Sequence, residues 1–203
     1  MSEDRPPDGT LNEVLILDAC NLRGVQGWPS RAQFNESVQH WASRLSGALV
    51  IIAHDRGADQ QRAERSAVQH TVLVMSGPRW SADDVIVRDV GWWHENSTAT
   101  VTVVTSDKTL RSRCRHAARS FSSEDTNRLR LQDSEAFCSS LHSPALQPGL
   151  ASGRVPLDSA VQAYLSWVAG LPRPPNSARS FVSRGVAISG KRRPKSGPRR
   201  PGR

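Results

Sequence analysis

The 203-residue chain is poor in the features that mark secreted, zinc-binding or membrane proteins. It has only three cysteines, Cys20, Cys114 and Cys138, which are far apart and form no CxxC or His-paired pattern. Neither a disulfide framework nor a zinc site is therefore expected. It also has no apolar run of about 18 residues, so no membrane span is predicted. Reduced thiols and an N-terminus without signal character indicate a cytoplasmic protein, with an organelle stroma or matrix as the open alternative.

Acidic residues are absent from the last part of the chain. No Asp or Glu follows Asp158, whereas ten of the 27 Lys and Arg residues lie from Arg173 onward. The high pI therefore belongs to a Pro-, Arg-, Ser- and Gly-rich tail, which we expect to be disordered. Its basic run suits contact with a polyanion such as RNA, and a tail that only raises solubility is the alternative. The candidate contact residues there are Lys191, Arg192, Arg193, Lys195, Arg199 and Arg200.

Short apolar runs alternate with segments of helical periodicity through most of the chain. The runs at 14–17, 48–54, 71–76 and 99–107 are typical of buried parallel strands. Helical patterns occupy 31–45, the segment after Ser81, 108–118 and the region near 132–141. The alternation predicts an α/β fold with a mostly parallel sheet.

Composition also divides the chain into four parts. Residues 1–12 are predicted to be a disordered lead, and residues 13–143 the folded domain. Residues 144–170 are predicted to be a linker followed by a short amphipathic helix, and residues 171–203 are the disordered basic tail.

Aspartates stand where three of the predicted strands end. Asp18, Asp55 and Asp107 follow apolar runs, and Asp83 and Asp84 lie in the first turn of the helix after the third strand. The carboxyl ends of parallel strands meet at one edge of a sheet, so we expect these carboxylates to lie together. Clustered carboxylates repel one another unless a cation binds between them. Oxygen donors without Cys or His favour Mg²⁺ or Mn²⁺ over Zn²⁺.

Two interpretations of these aspartates remain open at this point. A pair of Mg²⁺ or Mn²⁺ ions would activate a water for phosphodiester cleavage, with Asn21 orienting the water or holding a carboxylate. The structural interpretation makes Asp55 a turn residue, Asp107 a helix cap, and Asp84 the acid of a capping box with Ser81.

The segments LILDACNLRG, SGPRWSADDVIV and VTVVTSDKTLRSRCRHAA resemble the NYN-domain family, in particular its YacP-like branch within the PIN-like nuclease superfamily. The resemblance spans about residues 14–141. It implies a PIN-like three-layer α/β/α sandwich and a metal-dependent ribonuclease acting with Mg²⁺ or Mn²⁺. By matching position, it implies that the catalytic residues are Asp18, Asn21, Asp83, Asp84 and Asp107, that these aspartates bind the metal, and that Asp55 and Ser106 are secondary candidates.

The chain departs from the family pattern at three places. Ala19 and Cys20 replace a Gly-Tyr pair, His54 replaces the Phe before the second-strand aspartate, and Val87 stands where some members carry a glutamate. Two hypotheses therefore remain: a ribonuclease associated with mRNA or the ribosome, or an inactive NYN-like protein that binds RNA or a ribosomal surface. Candidate RNA contacts in the folded part are Arg79, Trp80, Lys108, Arg111 and Arg115, and Arg119 shares the helical face of the last two.

Overall fold

The computed structural model describes residues 10–55, 61–66, 70–121, 126–141 and 156–171. These residues form six strands and six α-helices, with a single 3-10 turn at Thr126–Arg128. No helix in the described ranges is long and apolar enough to cross a membrane. In chain order the elements are β1 (Glu13–Asp18), α1 (Ala19–Gln26), α2 (Arg31–Ala42), β2 (Ala48–His54), β3 (Arg62–Arg65), β4 (Thr71–Met75), α3 (Ala82–Asn96), β5 (Thr100–Val104), α4 (Lys108–Phe121), β6 (Leu129–Gln132), α5 (Ser134–Leu141) and α6 (Leu157–Gly170).

The six strands form one sheet in the order β3-β4-β2-β1-β5-β6. Every neighbouring pair is parallel except β3 and β4, which are antiparallel at one edge. The chain moves outward from β1 through β2 to β4 and then returns to β5 on the other side of β1. The strand order therefore reverses between β1 and β5, and crevices at the carboxyl ends of such strands are where open α/β sheets bind ligands.

Helices cover both faces of the sheet and produce two apolar cores. Alternate residues of β1 point to opposite faces, so Val14 and Ile16 enter one core while Leu15 and Leu17 enter the other. Helices α3, α4 and α6 pack into the first core, and α1, α2 and α5 pack into the second. The predicted α/β fold and three-layer sandwich are confirmed.

The folded unit is longer than the predicted domain at both ends. Leu11, placed in the disordered lead, is buried in the first core, and Thr10 forms a bridge with Pro156. Helix α6, predicted as part of a separate linker region, buries Val161 and Tyr164 in the same core. Its amphipathic pattern is therefore satisfied within the domain. Most of the predicted linker and the tail from residue 172 lie outside the described residues.

Two local elements are not marked by a clear sequence pattern. Helix α1 extends past Gly24 and ends where Gly27 adopts a left-handed φ of 63°. The connection after β2 contains β3, which is too charged to show a strand pattern and is paired only with β4. Charged edge strands of this kind resist pairing with other chains.

Candidate active site

Asp18 is the central residue of the carboxyl edge. It ends β1 and caps α1: its Oδ1 accepts from the backbone N–H of Asn21 at 3.1 Å, and its Oδ2 accepts from the Thr105 hydroxyl at 2.9 Å. Only 4% of the residue is exposed. Burial raises the pKa of Asp18, and the charges of Asp55 and Asp107 add to the increase, although the two hydrogen bonds oppose it. The two hydrogen bonds therefore fix the carboxylate at a position where burial and the neighbouring acids disfavour its negative charge.

Asp83 lies close enough to the other acids for their charges to affect its pKa. It is half-buried in the first turn of α3. Burial raises the pKa of Asp83, and the charge of Asp18 is the next cause, with smaller contributions from Asp107 and Asp55. Arg113 opposes the increase, with its Nη1 3.8 Å from Asp83 Oδ2. The four aspartates form what we call the acidic cluster: Asp18, Asp55, Asp83 and Asp107.

Two members of the acidic cluster also hold the backbone. Asp107 Oδ1 accepts from the N–H groups of Thr109 at 2.6 Å and Leu110 at 3.0 Å, so it caps α4. Asp55 Oδ1 accepts from the N–H of Ala82, which ties the end of β2 to the start of α3. The structural interpretation of Asp107 is therefore correct, and Asp55 too has a structural role. The same contacts fix both carboxylates at the edge that carries Asp18.

Asp84 is set apart from the cluster by its partners. It forms the predicted capping box with Ser81: Asp84 Oδ2 accepts from the Ser81 N–H, and the Ser81 hydroxyl accepts from the Asp84 N–H. Asp84 Oδ1 accepts from Arg113. Burial acts to raise the pKa of Asp84, but the hydrogen bonds from Arg113 and Ser81 together lower it below its usual value. Both oxygens are thus already engaged with donors.

Asn21 joins three parts of the chain through its side-chain oxygen. Oδ1 accepts from the N–H of Ser106 at 3.0 Å and from the hydroxyl of Ser134 at 2.6 Å. Ser106 in turn donates through its hydroxyl to Asp133 Oδ2 at 2.7 Å. Asn21 thereby fixes the loop between β5 and α4 against the start of α5. Sequence reasoning missed Ser134 and Asp133, because they lie more than 100 residues further along the chain.

Thr105 was also missed, although a signal for it was present. It immediately precedes Ser106 and Asp107 in the TSD segment at the end of β5, where it is buried. Its hydroxyl donates to Asp18 and accepts from the N–H of Asp107 at 3.1 Å. This buried hydroxyl therefore joins the carboxylate of Asp18 to the backbone of Asp107.

The candidate RNA contacts fall into two groups in the structure. Arg79 and Lys108 are exposed, whereas Trp80 is half-buried against the first core. Arg111 and Arg115 line a surface cavity of about 360 Å³ with other residues of α4 and β6. The six candidates of the tail lie outside the described residues.

The chemistry of the acidic cluster fits a hard divalent cation. In the described ranges no three His, Cys, Asp or Glu side chains form a ready-made metal-holding group. Mg²⁺ does not require one, because it is usually bound by one or two carboxylates together with waters and substrate phosphates. The donors here are all oxygen, and their mutual repulsion is what a bound cation relieves.

The fold and this edge define a doubly wound α/β protein with an acidic cluster at its topological switch point. Comparisons of the chain with protein-family models, curated proteins and solved structures find no match.

Proposed function

We propose that the protein is a metal-dependent ribonuclease that hydrolyses RNA phosphodiester bonds with a water activated by Mg²⁺ or Mn²⁺. The observation that carries this proposal is the placement of Asp18, Asp55, Asp83 and Asp107 at one edge of the sheet, where burial and then the charges of the neighbouring acids raise the pKa values of Asp18 and Asp83. Burying like charges together costs free energy, and such arrangements are typical of functional sites. The resemblance of the three segments to NYN domains supports RNA as the substrate.

Asp18, Asp83 and Asp107 would hold the ion. A bound Mg²⁺ or Mn²⁺ lowers the pKa of a coordinated water and stabilises negative charge on the phosphate oxygens. The chain keeps these three ligands in place through their neighbours. Thr105 holds Asp18 by a hydrogen bond, and Asp55 holds the start of the helix that carries Asp83.

Asn21 and Ser106 have a positioning role in this proposal. Their hydrogen bond holds the loop from which Asp107 projects, and Ser134 shares the same amide oxygen. We leave Asp84 out of the ligand set because the Arg113 guanidinium bonded to its Oδ1 already offsets its negative charge.

A second candidate function is RNA binding without cleavage. The observation that favours it is Arg113, which pairs with Asp84 and lies 3.8 Å from Asp83, so a fixed cation already offsets part of the negative charge. Val87, at the position where some NYN proteins carry a glutamate, is half-buried against the core and offers no ligand. The basic tail would then supply contacts to RNA or to a ribosomal surface.

The test compares the purified full chain with Asp18→Asn on labelled RNA, in Mn²⁺ and in EDTA. Wild type is expected to cleave only with metal. The cleavage rate of Asp18→Asn should fall about a hundredfold or more, because replacing even a residue that only hydrogen-bonds a metal ligand lowers activity or metal affinity by about 10–100-fold. The matched control is Asp158→Asn, the same change on α6, where the carboxylate pairs with Arg65. It should behave as wild type.

A direct binding measurement separates metal loss from misfolding. Free Mn²⁺, followed by its electron paramagnetic resonance signal, should be depleted by wild type and by Asp158→Asn but much less by Asp18→Asn. Full activity of Asp18→Asn would refute the metal mechanism. Tight RNA binding by wild type without any cleavage would favour the second candidate.

A further inference from the structure

A basic groove runs along the edge of the sheet between α4 and β6. It has a volume of about 360 Å³, and we call it the α4–β6 groove. The Arg111 side chain extends to the edge strand, where its Nη2 donates to the Leu131 carbonyl oxygen at 3.5 Å. Arg115 and Arg119 are exposed. The lining residues are Arg111, Arg115, Ala118, Arg119, Leu129 and Leu131.

The described carboxylates offset little of the positive charge of this groove: a hydrogen bond from Ser106 is the main cause of the lowered pKa of Asp133, and the charge of Arg111 is the last of the contributing causes. None of its three arginines forms a salt bridge within the described ranges, whereas Arg113, on another side of α4, pairs with Asp83 and Asp84. On helix α4, therefore, Arg113 pairs with acids of α3, whereas the other three arginines line the groove. A concave surface with an excess of positive charge attracts anions.

The spacing of the arginines matches a linear polyanion. They occur at intervals of four residues, so they lie on one helical face in successive turns. A rise of 1.5 Å per residue separates them by about 6 Å along the axis, a step comparable with that between successive phosphates of an extended strand.

The groove also has an apolar floor. Leu129 and Leu131 of β6 and Ala118 of α4 lie between or beside the arginines. The faces of unpaired bases pack on such a surface and on guanidinium planes, whereas a duplex hides its base faces within its own stack. These features favour a single strand over a double helix.

The groove starts beside the acidic cluster. Asp107 caps α4, and Arg111 lies one turn further along the helix, where its backbone N–H donates to the Asp107 carbonyl oxygen at 2.9 Å. We propose that the α4–β6 groove binds about three nucleotides of single-stranded nucleic acid and leads the strand toward the acidic cluster. That this strand is the substrate rests on the proposed ribonuclease function, whereas its binding in the groove does not.

The experiment measures binding of a labelled 12-nucleotide strand, as RNA and as DNA, and of the matching duplex, in EDTA over a KCl series. The groove triple variant is Arg111→Gln, Arg115→Gln, Arg119→Gln. Each phosphate contact on a single strand contributes about 0.7 to the salt slope, so losing three should reduce the slope by about 2. Between 50 and 200 mM KCl, wild type should therefore lose about twentyfold more affinity than the variant.

The matched control removes the same charge elsewhere on the folded unit: Arg44→Gln, Arg62→Gln, Arg130→Gln. Arg130 lies on β6 between the two groove leucines but points to the opposite face of the sheet. The control should keep the wild-type slope and its preference for the single strand. The Arg115→Gln and Arg119→Gln single variants, both at exposed positions, should each reduce the slope by about 0.7 if the triple variant fails to fold.

Equal losses in the groove and control triples would overturn the groove assignment, and so would tighter binding of the duplex by wild type. If the groove triple variant alone loses salt slope with both the RNA and the DNA strand, the groove binds single strands of either kind. If it loses salt slope with the RNA strand alone, the groove is specific for RNA. Because the assay contains no metal, its outcome is independent of cleavage. An intact groove effect in a protein without nuclease activity would leave the binding inference standing.

Discussion

Replacing Tyr164 by Phe tests how α6 is attached to the domain. Tyr164 is fully buried, and its hydroxyl donates to Asp89 Oδ2 at 2.6 Å. Asp89 is also fully buried, and its Oδ1 accepts from Arg88 Nε at 2.9 Å. The Arg88 guanidinium lies 4.8 Å from the ring centre of Trp167 on α6. A charged network thus joins α3 to α6.

The expected loss of stability follows from this arrangement. Phenylalanine keeps the ring and its packing but removes one hydrogen bond to a buried charged acceptor. Hydrogen bonds to charged groups contribute about 1.5–3 kcal/mol, and Asp89 would keep only its Arg88 contact. For a chain of this size about 1 kcal/mol corresponds to about 2–4 °C in Tm, so Tyr164→Phe should lower Tm by about 3–12 °C.

The assay is thermal and urea unfolding followed by tryptophan fluorescence, since Trp93 and Trp167 both lie near the network. A double-mutant cycle with Asp89→Asn isolates the pair, and its coupling free energy should fall within about 0.5–3 kcal/mol. A loss below about 0.5 kcal/mol for Tyr164→Phe, with no coupling to Asp89→Asn, would refute the view that this contact fixes α6.

Two further predictions concern charge. Burial raises the pKa values of Asp18 and Asp83 above the usual 3.8, so the folded state binds more protons than the unfolded state just above that pH. The contribution of these two aspartates to stability in EDTA should therefore fall as pH rises above about 4, so the urea midpoint of Asp18→Asn should gain on that of wild type over this range; identical profiles would contradict this. Deleting residues 173–203 removes ten basic residues, so RNA affinity should decrease less steeply with KCl, and an unchanged slope would show that the tail does not contact RNA.

Elements specified by local pattern could be predicted from the sequence. The run ALVIIAH is buried at all seven positions of β2 because a central parallel strand is covered on both faces. The capping box of Ser81 and Asp84 was also predictable, since both of its hydrogen bonds join residues three apart. The shared edge of Asp18 and Asp107 follows in the same way from strands that run parallel.

Contacts between residues distant in sequence could not be predicted in this way. Strand β3 has no apolar period and is a strand only because β4 pairs with it. The amphipathic pattern of α6 predicted a helix, but its docking depends on Tyr164 meeting Asp89, 75 residues earlier.

The roles of neighbouring acids were likewise decided by tertiary structure. Asp83 and Asp84 are adjacent and chemically identical, yet the pKa of Asp83 is raised by burial and by Asp18, whereas hydrogen bonds from Arg113 and Ser81 lower that of Asp84. Successive residues of a helix point about 100° apart, so the two carboxylates meet different neighbours. The sequence by itself determined that acids gather at this edge. Only the packing of α4 against α3 decided which of them Arg113 would bind, because the pKa of a carboxyl group depends on the groups that surround it in space.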